Sequence, residues 1–133
     1  MRRFLVPSFL AVAVAVLAPA AAAKEMSVSL ASGPPTLDLG EPWTAELLVH
    51  GEPDILNEAR PGITFTSSGT GDTKRFVARS TGKHAPNGQL IYRARVVIEE
   101  AGRWRWGLFD GVTDRLYEGG LVQVGKPAGE VSG

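Results

Sequence analysis

The chain has no cysteine. That absence excludes a disulfide framework, a thiolate nucleophile and the cysteine-based zinc sites. It also excludes a lipid anchor on cysteine. Imidazole and thioether are scarce: the 133 residues hold two histidines and two methionines, one of them the initiator. Charge of one sign is not in excess either, with 14 Lys and Arg against 14 Asp and Glu. A balanced chain of this kind argues against nucleic acid as the main partner. There is no internal repeat, no sustained helical period, no G-x-S-x-G elbow and no phosphate-binding glycine loop. Neither a cofactor nor a catalytic group is expected.

What is present starts with an address. Arg2 and Arg3 precede an apolar run over residues 4–18, broken only by Pro7 and Ser8, and small residues follow at 20–23. This is the layout of a secretory signal, with cleavage expected between Ala23 and Lys24. Its apolar stretch is short for a membrane span, and no second run of spanning length follows. The expected mature chain is therefore an exported protein, periplasmic or extracellular, with no stable membrane span. Loss of Arg2 and Arg3 leaves 12 basic against 14 acidic residues, a net charge of −2. The expected organisation is a signal at 1–23, one domain at 24–124 and a flexible tail at 125–133. About 110 residues suffice for one hydrophobic core.

The domain reads as all-β. Short segments of alternating polarity are separated by Gly, Pro, Asn and Asp every 8–12 residues. Strands are expected at 26–30, 43–50, 62–66, 73–80 and 116–124, with a short extended piece at 36–39. A loop holding His84 is expected at 82–88. Residues 55–60 read as irregular or as one helical turn. Seven to eight short strands of this kind predict an antiparallel, immunoglobulin-like β-sandwich. Trp43, Leu47, Tyr92, Val96, Trp104 and Trp106 are the expected shared core.

Residues 89–110 carry the strongest pattern. Tyr92, Ala94, Val96 and Ile98 alternate with Arg93, Arg95, Val97 and Glu99. Trp104, Trp106 and Leu108 alternate with Arg103, Arg105, Gly107 and Phe109. With Glu100-Ala101-Gly102 as a three-residue turn, and Gly102 at positive φ, this reads as one long hairpin. Its outer face then gathers Arg93, Arg95, Arg103 and Arg105 into one basic patch, with Phe109 beside Arg93. Guanidinium groups form paired bonds to carboxylates and phosphates, so an acidic protein or anionic cell-envelope component is the expected partner.

Gly40-Glu41-Pro42-Trp43, Ala59-Arg60-Pro61-Gly62-Ile63, Tyr92-Arg93-Ala94 and 102–106 together resemble the immunoglobulin-like domains of exported bacterial proteins of the YtkA-like and FixH-like type. The resemblance covers most of residues 35–109 and implies a fold more than an activity. It implies that Tyr92 is the corner tyrosine of such a domain. Ala94 stands where antibody domains often have cysteine. FixH-like proteins are membrane-anchored and tied to cation or oxidase assembly, a role that this chain's layout does not lead one to expect.

Other residues bear on chemistry. His50, His84, Met26 and the new amino terminus are the possible ligands for an alternative role in copper handling. Asp110, Asp114 and Glu118 flank glycine turns, where carboxylates can hold calcium or simply shape the turn. Ser67, Ser68 and Thr70 lie in one loop without a neighbouring histidine in sequence. The adjacent Glu99 and Glu100 would point to opposite faces, a poor glycosidase pair. The leading expectation is a non-enzymatic binding module.

Overall fold

The computed structural model describes residues 26–125. The signal at 1–23, the expected start at Lys24 and the tail beyond Gly125 lie outside the described residues. Among the described residues eight strands form: β1 (Met26–Leu30), β2 (Trp43–Gly51), β3 (Gly62–Ser67), β4 (Thr73–Val77), β5 (Arg79–His84), β6 (Leu90–Val96), β7 (Gly102–Phe109) and β8 (Leu116–Val124). One helical turn, α1 (Pro53–Leu56), sits between β2 and β3, with Pro53 at its start, where proline's missing N–H costs nothing.

The strands make two antiparallel sheets of four, ordered β1-β2-β6-β5 and β4-β3-β7-β8. This is the order of an immunoglobulin-like sandwich. Leu37 adds a single parallel bridge to Val124, so the 36–39 piece covers the end of β8. Inward residues follow the expected alternation. Ala45, Leu47 and Val49 of β2, Ala94 and Val96 of β6, Ile63 and Phe65 of β3, and Trp104 and Leu108 of β7 are buried between the sheets. Apolar surface on two facing sheets is the main source of stability, at about 25 cal/mol per Å² removed from water. Trp104 is the largest fully buried side chain. Trp43 and Trp106 only flank the core, half-buried. The Trp106 indole lies against Gly119, where any Cβ would collide with it. At that point the β7–β8 register shifts.

The long hairpin does not form. β6 pairs with β2 and β5, whereas β7 pairs with β3 and β8 in the other sheet. Residues 97–101 arch from one sheet to the other. Ile98 plugs the core, its carbonyl accepts the Gly40 N–H at 2.8 Å, and the Trp104 indole N–H donates to the Glu100 carbonyl at 3.1 Å. Alternation records which residues face inward, and an arch buries the same ones as a hairpin does. Tyr92 accordingly lies on the strand before the arch. The corner tyrosine belongs to the strand after it, so Tyr92 is a core residue and not that corner.

Gly102 does take a positive φ, 139°, although it opens β7 instead of closing a hairpin. No atom beyond its chain neighbours stands within 4 Å of the Cβ position, so only backbone strain opposes substitution. Gly102→Val should therefore cost about 1–3 kcal/mol in chemical denaturation. An unchanged midpoint would contradict this.

The segment 73–80, read as one strand, is two. β4 belongs to one sheet and β5 to the other, with Ala78 at the crossing, its N–H donating to the Pro61 carbonyl at 2.8 Å. β5 then runs on to His84, through part of the segment expected as loop.

Candidate functional site

The division into sheets separates the four arginines of the expected patch. Arg93 and Arg95 lie on the outer face of the first sheet. Arg103 and Arg105 lie on the outer face of the second. The core, about 10 Å thick, stands between the pairs. Phe109 is not beside Arg93. It sits on the second sheet opposite Gly62, where its ring takes the space of the missing side chain. The Arg75 guanidinium covers that ring, 3.5 Å from its centroid. This stacking explains why an outward-facing phenylalanine is buried.

A different cluster forms where the chain crosses between sheets. The crossing sets Arg79 directly opposite Arg93 on β6. Arg95 is two residues further along the same outer face, and Arg75 approaches from β4. These four arginines line an open groove of about 690 Å³, with Thr44, Phe76, Val77 and Thr81 among its other walls. Only Arg93 is balanced: its guanidinium donates to Glu46 Oε2 at 3.3 Å, a half-exposed pair across the β2–β6 ladder. Arg75, Arg79 and Arg95 have no carboxylate partner among the described residues. Like charges placed directly opposite across a ladder, as Arg79 and Arg93 are, disfavour folding. A bound anion would relieve that cost.

Arg75 also borders two smaller hollows. One, of about 520 Å³, runs along β4 past Lys74 to Val97, Glu99 and Glu100. The other, of about 380 Å³, reaches Phe109, Thr113 and Arg115. Sequence reasoning found Arg93 and Arg95 and missed Arg75 and Arg79. A signal for both existed: if Phe76 and Ala78 face inward, Arg75 and Arg79 face outward.

The remaining candidates do local work. Asp110 is fully buried and accepts hydrogen bonds from the Val112 N–H at 2.8 Å, the Thr113 N–H at 2.7 Å and the Thr113 hydroxyl at 2.7 Å. The Tyr117 hydroxyl lies 3.0 Å from Asp110 Oδ2 and 2.8 Å from the Met26 carbonyl, so its one proton is shared between the last strand's carboxylate neighbour and the first strand. Burial pushes the Asp110 pKa up, but these donors outweigh it and hold the carboxyl below its ordinary value. Burial, and then the Asp110 carboxylate, push the Tyr117 hydroxyl upward. Asp110 is thus a turn-locking acceptor, and no group of three or more His, Asp or Glu residues suited to a metal ion occurs among the described residues. Ser67 Oγ is occupied by the N–H groups of Gly69 and Thr70.

The copper ligands are scattered by the register. Met26 is buried, and His50 sits in the next row of the β1–β2 ladder, on the exposed face. The two therefore face opposite sides of the sheet. His84 ends β5 opposite Leu90, two strands away from β2. The expected amino terminus lies outside the described residues.

No family model matches the chain, and no curated protein matches it. Among solved structures, the crystal structure of a beta-glucosidase from Listeria innocua in complex with gluconolactone aligns with 79% of this chain and 16% of that chain, at 14% identity and a TM-score of 0.47.

Proposed function

We propose that this chain is a non-enzymatic, exported binding module that holds an acidic protein or anionic cell-envelope partner in the groove of Arg75, Arg79, Arg93 and Arg95. The observation that carries the reading is the electrostatic state of that groove. Arg79, Arg93 and Arg95 share the outer face of the first sheet beside it, Arg75 borders it from β4 with its own guanidinium over Phe109, and one carboxylate, Glu46, answers these cations among the described residues. All four stand on paired strands, so little order is lost when a partner binds. The donor forks of arginine suit carboxylate and phosphate oxygens. Export is inferred from the signal layout at residues 1–23.

The test compares retention of the mature protein on isolated envelope material and on an anionic polymer. Arg79, Arg93 and Arg95 replaced together by Gln should weaken retention about tenfold at low salt, at about 0.5 kcal/mol for each exposed contact. Arg103→Gln with Arg105→Gln, on the opposite face, should leave it unchanged. Added salt should erase the difference, because exposed charges are screened over about 10 Å at 0.1 M. Equal retention of all three proteins would remove the groove from consideration.

A further inference from the structure

Beside the groove runs a strand edge whose backbone is free. The β3–β4 ladder is bracketed by two hydrogen bonds, Ala78 N–H to the Pro61 carbonyl and Ser67 N–H to the Asp72 carbonyl, both 2.8 Å. In an antiparallel ladder, bonded and non-bonded pairs alternate. Continuing the register from both ends gives the same phase: Phe76 bonds with Ile63, and Lys74 bonds with Phe65. The backbone N–H and C=O groups of Thr73, Arg75 and Val77 therefore point away from β3. β4 is the terminal strand of its sheet, and no backbone partner meets these groups among the described residues.

Two of the other three edges, β5 and β8, are closed to different degrees. On β5, Ser80 Oγ takes the Gly82 N–H at 3.1 Å and Thr81 Oγ1 takes the Lys83 N–H at 3.1 Å. Local side-chain bonds of this kind remove donors from an edge. On β8, Leu37 occupies the end through Gln123 and Gly125, and the register shift breaks the middle. The β4 edge has no such cover. It carries charge instead: Lys74 and Arg75 are exposed, next to Val77, which is 55% exposed. A second copy pairing here antiparallel would set these cations against each other, which blocks self-association. A strand bearing carboxylates would be attracted by the same residues.

Resting on the reading above, we propose that the partner presents an extended acidic peptide segment, which adds as a fifth strand along β4. Its backbone pairs with Thr73, Arg75 and Val77. One carboxylate meets Arg75 on the outer face, beside an apolar residue that covers Val77, and others meet Lys74 on the opposite face, with Arg79 and Arg95 beyond them across the groove. Strand addition of this kind takes affinity from the main chain and selectivity from side chains. It favours a peptide over an acidic polysaccharide, which has no regular array of N–H and C=O groups to offer.

The test uses the mature protein and a blocked peptide repeating Glu-Glu-Val, which as a strand presents carboxylates on both faces and valine beside glutamate on each, with fluorescence anisotropy as readout. Two comparisons isolate the backbone. One is the same peptide N-methylated at alternate residues, which keeps every charge. The other is Val77→Pro, which removes one outward N–H, a change that an edge strand tolerates. Each should weaken peptide binding about tenfold, the cost of one or two lost hydrogen bonds. Retention of Val77→Pro on an anionic polysaccharide should match that of the parent. In the parent, the peptide should slow hydrogen exchange at the Arg75 and Val77 amides, a readout that does not depend on the variant's folding. Equal binding of the N-methylated peptide, or unchanged exchange at those amides, overturns strand addition while leaving the charge-based groove standing. Binding of the polysaccharide without the peptide overturns it in favour of a glycan. If neither ligand binds and the triple arginine variant behaves as the parent, both readings fall.

Discussion

Trp104→Ala should lower stability by about 3–5 kcal/mol in urea or guanidinium unfolding. The side chain is 0% exposed and stands between Ser67 of β3 and Val122 of β8, at the start of the strand that follows the arch. Truncation removes the largest buried group in the domain and leaves a cavity that rigid sheets cannot collapse. It also removes the indole N–H that holds the Glu100 carbonyl, so one arm of the sheet-to-sheet arch loses its tie. For a domain of this size, whose whole stability is about 5–15 kcal/mol, the loss is a large fraction. The same change at half-buried Trp43 should cost clearly less. A Trp104→Ala variant that unfolds at the parent's midpoint would refute the inward placement.

Asp110→Ala should cost about 3 kcal/mol, since it strands the Val112 and Thr113 N–H groups at a buried turn. It also removes one of the two acceptors of the Tyr117 hydroxyl, leaving its single proton to the Met26 carbonyl. The effect has a pH signature. The folded carboxyl titrates below its ordinary value, so the unfolded state takes up its proton first as acid is added. Its contribution is fully present above the unfolded pKa of about 3.9 and is lost as pH falls through the folded value. The parent should therefore lose stability more steeply than Asp110→Ala below about pH 4, and the two curves should run parallel near pH 7. Parallel curves throughout the acid range would show that Asp110 is not the acceptor described.

The strands themselves were legible. Met26–Leu30 is β1 to the residue, and Leu116–Val124 carries its Gly119-Gly120 interruption as a register shift. Period-two alternation also identified most of the core. Its silence concerned pairing. Ile98 is buried whether 97–101 turns back or arches over, and only the long-range ladders of β6 with β2 and of β7 with β3 decide between the two. The site shared this fate. Arg93 and Arg95 were found because they share a strand face. Arg79 was not joined to them because 73–80 reads as one strand, and only the crossing at Ala78 sets Arg79 in the ladder with β6. A locally unfavourable arrangement that persists in a fold is where function is worth seeking. The half-exposure of Trp106 was equally hidden, since it depends on the absent side chain of Gly119.

The central claim is that anions are held by the groove at the crossing between sheets and not by a face shared with Arg103 and Arg105. Amide chemical-shift mapping tests it most directly, with the isotopically labelled mature protein titrated with polyglutamate at low salt. The largest shifts should fall at residues 73–81 and 93–95, and they should vanish on adding salt. Shifts centred on Arg103 and Arg105, or spread evenly over both sheets, would contradict the account.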